Sequence, residues 1–190
     1  MQEKQVTIEG TTLTLPEPFM VLATQNPIEQ EGVYRLPEAQ LDRFLFRVEV
    51  GYPERDREVD MLELHSRNAV TPTAVSSADE VLRIQQSVDS VYGNRELQEY
   101  IVDLVRKSRE HPELILGGSP RAAIFLMKAA RAHALLNGRG FFTHVDVQDI
   151  AHSVLGHRLI LRPEAEIEGR DVRTIVDELL KALPVLASGK

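Results

Sequence analysis

The sequence contains no cysteine, which excludes disulfides and thiolate metal sites. It has no apolar run near the roughly 20 residues that a membrane-spanning helix requires. Its opening residues, Met1-Gln-Glu-Lys4, are polar and of both signs, so no signal peptide is expected and a cytoplasmic location is the expectation. A Gly-x-x-x-x-Gly-Lys-Ser/Thr loop, whose backbone amides cradle phosphates, is missing. Gly189-Lys190 imitates its end, but Pro184 stands where the first glycine should be. Gly138-Arg-Gly140 begins like a dinucleotide loop, and Thr143 replaces its last glycine. No apolar strand ends in the Asp-Glu pair that would hold magnesium; Ile175-Val-Asp-Glu178 has the letters but lies in a helical pattern. No nucleophile is paired with a base, so nothing suggests an independent hydrolase. A net charge of −7 argues against broad contact with a phosphate backbone, which makes nucleic acid an unlikely partner.

What is present reads as an ordinary globule. Hydrophobic residues make up 43% of the 190 and charged residues 27%, enough for one or two compact domains with a real core. Gln5-Val-Thr-Ile-Glu9 and Thr12-Leu-Thr-Leu15 alternate polar with apolar around Gly10, which predicts a hairpin. Phe19 to Ala23 has the length and composition of a buried strand, and Pro27 forbids its continuation. Thr24, Gln25 and Asn26 would then sit at the carboxyl end of a central strand, where open α/β sheets place their ligands. Pro37 and Glu38 mark the start of a short helix that delivers Arg43 to its far end. A second strand is expected from Leu45 to Val50, closed by the turn Gly51-Tyr-Pro53.

From Glu54 onward the pattern is helical. Ser77 with Glu80 forms a capping box for a helix to about Val91. Asn94 can cap the next helix, where Leu97, Ile101, Leu104 and Val105 share a face. Ser119 and Pro120 start an alanine-rich helix. Thr143 with Asp146 caps a helix through about Leu155, and Asp171 opens a last one, amphipathic, that Pro184 ends. Residues 68–77 read as a loop within this helical part.

Each candidate residue admits a plain role and a chemical one. Asn26 precedes proline, where asparagine commonly serves as a turn former. Arg43 suits a helix carboxyl terminus as a simple cation, while Asp42 beside it faces elsewhere. Arg121 falls in the first turn of its helix, where an anion is preferred; it is either half of a phosphate site or a surface arginine paired with a carboxylate. His144, His152 and His157 lack the spacing of a helical zinc pair and read as structural, so no metal site is expected. Glu29, Glu31 and Glu38 read as solvated carboxylates.

Four motifs carry a family resemblance: Ala23-Thr-Gln-Asn-Pro-Ile-Glu-Gln-Glu-Gly32, Leu36-Pro-Glu-Ala-Gln-Leu-Asp-Arg-Phe44, Gly117-Gly-Ser-Pro-Arg-Ala122 and Val154-Leu-Gly-His-Arg-Leu159. In this order they resemble the MoxR family of AAA+ ATPases, from about Gln5 to about Pro184. The resemblance implies an α/β plus all-α fold. Residues 1–51 would be the carboxyl-terminal part of an AAA+ core, with insert hairpin, sensor strand, arginine-finger helix and last strand; residues 52–190 would be the helical lid. It implies Asn26 as the first sensor, between the γ-phosphate and the attacking water. Arg43 becomes the arginine finger supplied to the adjacent subunit, with Arg35 and Arg47 as lesser alternatives, and Arg121 the second sensor. Gly117 and Gly118 would let the lid approach closely and move. ATP and Mg2+ would be bound mainly by a part absent here, so this chain alone should not hydrolyse ATP. The family further implies a hexamer that remodels or matures partner complexes, with von Willebrand A domain proteins among its partners. A magnesium-chelatase-like or DNA-handling AAA+ subunit, or a non-catalytic interaction module, is the alternative.

Overall fold

The computed structural model describes residues 4–25, 36–65 and 71–184. It opens with the expected hairpin, β1 (Gln5–Ile8) paired antiparallel with β2 (Thr11–Thr14). Ile8 faces Thr11 across a two-residue turn, Glu9-Gly10, whose φ values of 49° and 82° are both positive. Such a turn matches the twist of its strands, and glycine at its second position carries no strain.

The two longer strands expected in this part are not formed among the described residues. Residues 19–25 carry no ladder partner, and Met20 and Leu22 are 78% and 81% exposed. Residues 45–50 are likewise irregular, with Val50 92% exposed. A central strand is an element only when neighbours take up its amide and carbonyl groups and cover both faces. No such neighbours lie beside these stretches among the described residues, so apolar composition alone does not make them strands. The short helix is present as α1 (Glu38–Leu41), with Pro37 at its N-cap and Glu38 in its first turn.

The helical part follows the caps. After α2 (Arg55–His65), α3 (Ala78–Asp89) starts where the Glu80 amide donates to Ser77 Oγ at 3.2 Å. The Glu80 carboxylate accepts from Ser76 Oγ, so only half of the expected capping box forms. Asn94 Oδ1 accepts the Leu97 amide at the start of α4 (Arg95–Glu110). Beyond α4 come β3 (Leu114–Leu116) and α5 (Pro120–Leu136), the latter with proline in its first turn. The Asp146 carboxylate accepts the Thr143 amide at 2.7 Å and opens α6 (His144–Leu155). A two-residue strand β4 (Ile160–Leu161) pairs with β3, and α7 (Pro163–Ile167) leads to α8 (Val172–Lys181), capped by Asp171. No helix among the described residues is long and apolar enough to cross a membrane.

The buried apolar core lies wholly between Val91 and Leu183. It joins α4 through Leu104 and Val105, α5 through Leu126 and its small alanines, α6 through Val154 and Leu155, and α8 through Ile175 and Leu179. Leu104, Leu126, Leu155 and Ile175 are fully enclosed, each contributing about 1.5–3 kcal/mol by burial. Gly117 is required by packing: a Cβ there would meet the Arg109 backbone at 2.6 Å. This close approach lies within the helical part itself, between the end of β3 and the last turn of α4.

Candidate functional site

Of the described candidate residues, Arg121 bonds a carboxylate, Asp42, and Arg43 is the next residue in the chain. Helix α1 ends with the Asp42 amide donating to the Glu38 carbonyl, and Phe44 donates to Leu41, so the chain turns sharply over residues 42–45. The Asp42 side chain leaves this turn toward the helical part. Its Oδ2 accepts Arg121 Nη1 at 2.9 Å, and its Oδ1 accepts Arg158 Nε at 3.0 Å and Ser119 Oγ at 3.0 Å. Ser119 is the N-cap residue of α5, yet its hydroxyl serves Asp42 instead of the helix. Burial pushes the Asp42 carboxyl up, but the hydrogen bonds from Ser119, Arg121 and Arg158 outweigh it and hold it below its ordinary value.

Arg158 is the centre of this junction. Its side chain is 1% exposed, an environment in which arginine is found only when paired. Besides the Asp42 carboxylate, Nη2 donates to the Asp42 carbonyl at 3.0 Å and to the Phe44 carbonyl. Nη1 reaches the Leu45 carbonyl at 3.4 Å and also the Val154 carbonyl. The Phe125 ring lies under the guanidinium, its centroid 5.0 Å away. Burial lowers the Arg158 pKa, and Asp42 opposes that shift. His157 beside it donates from Nε2 to the Phe44 carbonyl at 3.1 Å. Burial, followed by the charge of Arg158, lowers its pKa to about 4, so the imidazole is neutral near pH 7. The Arg47 amide adds a bond to the Ser153 carbonyl at 2.9 Å. The motif around Gly156 is thus a receptor for residues 42–47.

Arg43 lies in the middle of this anchored turn and is itself exposed, its side chain without a partner among the described residues. Arg121 is one-third exposed and tied by one nitrogen only, leaving Nε and Nη2 without partners among the described residues. It borders an open cleft of about 480 Å³ with Asp42, Ser119, Ile124, Phe125 and Lys128. This geometry suits an anion for which Arg121 offers two further donors. It does not suit a magnesium ion, because Asp42, the carboxylate of the cleft, is already committed to three partners. Asn26 and Arg35 lie outside the described residues, and Arg47 pairs with Glu49 at 3.0 Å.

His133 contacts Asp146 at 2.8 Å, His152 contacts Asp177 at 2.9 Å, and His144 meets the Tyr100 ring edge-on. His111, Glu113 and Glu178 converge within 4.8 Å, but Arg170 bonds both carboxylates and supplies the cation there. Sequence reasoning missed Asp42 and Arg158 as site residues. Their bond joins positions 116 apart, and the available signal was the pair of charged residues inside two of the four motifs.

Comparison with known proteins identifies the family of the chain. A family model described as "ATPase family associated with various cellular activities (AAA)" matches residues 1–46, and the AAA lid domain matches residues 106–179. The uncharacterised Bacillus subtilis protein YeaC is 45% identical over 97% of this chain and 58% of its own length. The chaperone MoxR1 of Mycobacterium tuberculosis is 38% identical over 97% of this chain and 52% of its own. A magnesium-chelatase subunit of Arabidopsis thaliana, ChlI-2, is 31% identical over 90% of this chain and 40% of its own. The crystal structure of a protein assigned as an ATPase from Cytophaga hutchinsonii superposes with a TM-score of 0.91 at 38% identity, covering 98% of this chain and 60% of that one. The chain therefore spans about half the length of the curated relatives it matches.

Proposed function

Starting from the chain's membership of the MoxR-like AAA+ ATPases, of which it forms the carboxyl-terminal part, we propose that it is the sensing and lid portion of a ring-forming ATPase. In the complete protein, a hexamer in this reading, MgATP is held mainly by the portion that carries the phosphate-binding loop. Arg121 reaches the terminal phosphate of the same subunit's nucleotide, and Arg43 reaches that of its neighbour. Asn26 would orient the attacking water as the first sensor. ATP hydrolysis would drive chaperone-like remodelling or maturation of partner complexes, von Willebrand A domain proteins among them. The chaperone part of this reading rests on the name of MoxR1. Likeness to magnesium-chelatase subunits favours a shared motor without specifying a shared client.

The observation that carries the proposal is the contrast between Arg43 on the turn and Arg121, which reaches that turn from the start of α5. Among the described residues, Arg121 has donors left over beside an open cleft, and Arg43 is exposed and unpaired on an anchored turn. An anchored backbone fixes where the Arg43 side chain starts, so only side-chain freedom is lost when it meets a phosphoryl group, and such contacts are worth roughly 10³–10⁵ in rate.

Mixing variants of the complete protein tests the trans role. Arg43→Ala alone should bind MgATP nearly as wild type while kcat falls by roughly 10³ or more. Combined with subunits disabled in their own phosphate-binding loop, it should regain hydrolysis, because those subunits supply Arg43 to intact loops. Mixed rings, verified by mass, that recover no activity would count against a finger acting across the interface.

A further inference from the structure

The clamp on residues 42–45 has no task in the core. Every buried apolar core residue falls between Val91 and Leu183, so the helical part closes without this turn. Yet Arg158, with a side chain 1% exposed, bonds the Asp42 carboxylate and carbonyl and the Phe44 and Leu45 carbonyls. His157 adds a second donor to the Phe44 carbonyl. These bonds bracket Arg43 on both sides and leave its side chain exposed, with no partner among the described residues. A guanidinium suits this job because its five donors form a rigid fork, whereas an ammonium is a point charge on a flexible stem.

We propose that Arg158 and Asp42 are the positioning pair for Arg43: the lid fixes the peptide on either side of the finger, so that its guanidinium is presented to the neighbouring subunit in a set direction. This rests on the assignment of Arg43 as the finger. Arg121 and Ser119 hold the same Asp42 carboxylate, so the start of α5 and the finger turn move as one unit. A residue on the lid that answers to its own subunit's nucleotide is thereby two bonds of contact from the residue that acts on the next subunit's.

The effect of losing this support is one of orientation. Misplacing a reacting group by about 1 Å can cost 10²-fold in rate without loss of binding. Arg158→Lys keeps the positive charge beside Asp42, but three donors on one nitrogen cannot serve the Asp42 carboxylate and the four carbonyls that Arg158 reaches. In the complete, assembled ATPase it should lower kcat by roughly 10–10²-fold, with KM for ATP changed less than about threefold. The deciding measurement is a double-mutant cycle read by single-turnover hydrolysis. Arg43→Ala/Arg158→Lys should turn over at the rate of Arg43→Ala alone, because a support has nothing left to position. A decrease that persists undiminished in the Arg43→Ala background would show that Arg158 acts elsewhere, and unchanged turnover in Arg158→Lys would overturn the proposal outright. If Arg158→Lys fails to assemble, Asp42→Asn takes its place in the same cycle, with the same two outcomes. Unimpaired turnover in Arg43→Ala alone marks a different failure, that of the finger assignment beneath the proposal.

Discussion

Replacing Arg158 by methionine should detach residues 42–47 from the helical part while leaving that part folded. Hydrogen bonds to a charged group contribute about 1.5–3 kcal/mol each, and Arg158 makes such bonds to the carboxylate and carbonyl of Asp42 and to the carbonyls of Phe44 and Leu45. Their simple sum overstates the loss. Removing a buried guanidinium also relieves a desolvation penalty of several kcal/mol. The Phe44 carbonyl keeps His157, and the Asp42 carboxylate, 21% exposed, keeps Arg121, Ser119 and access to water. The methionine stem remains against Phe125. A net cost of about 2–4 kcal/mol to docking is the balance of these effects. The Arg47 amide, bonded to Ser153 at 2.9 Å, reports docking directly. At 1.4 kcal/mol per factor of ten, its hydrogen-exchange protection should fall by roughly 30- to 1000-fold. Amides within α4, α5 and α6 should keep most of theirs. Unchanged protection at Arg47 would refute the claim that Arg158 holds the turn. A matching loss throughout α4 to α6 would refute the claim that docking is separable from the core.

Two further outcomes follow from the ionisable groups. Asp146, with its side chain 1% exposed, receives Arg139, His133 and the Thr143 amide; Asp146→Ala removes a helix cap and an ion partner together and should destabilise the fold by about 2–4 kcal/mol in urea unfolding, so a change below about 0.5 kcal/mol would contradict this account. His157 has its pKa lowered from 6.5 to about 4 by burial first, so between those values the unfolded or undocked chain binds a proton that the docked one does not. Its contribution is therefore complete above pH 6.5 and is lost as pH falls toward 4. Arg47 amide protection, corrected for intrinsic exchange, should decline across that window, and His157→Gln should flatten the decline; an identical slope in both proteins would remove His157 from the explanation.

The helical part was legible because its signals are local. Asn94, Thr143 with Asp146, and Asp171 each cap the helix that follows, since a cap works within three residues of itself. The hairpin around Gly10 was legible for the same reason. The two sheet strands are not formed among the described residues because a buried strand depends on neighbours that the apolar run itself does not contain. Strands β3 and β4, three and two residues long, are too short to show alternation and exist through their pairing with each other.

The site was half legible, and the illegible half explains the rest. Adjacent residues on a helix do not face each other, and from this Asp42 reads as unrelated to Arg43. The divergence is real, and it is what the junction uses: at the end of α1 the carboxylate turns into the lid while the next side chain turns to solvent. Arg121 had two roles that looked exclusive, an arginine paired with a carboxylate or one half of a phosphate site. It is paired, to Asp42 through a single nitrogen, and that pairing leaves Nε and Nη2 uncommitted among the described residues. A guanidinium can accept a phosphate on its remaining donors without releasing its carboxylate. The ion pair is therefore no argument against the phosphate role; it fixes the direction from which Arg121 could meet the nucleotide, and it ties that direction to the turn that carries Arg43.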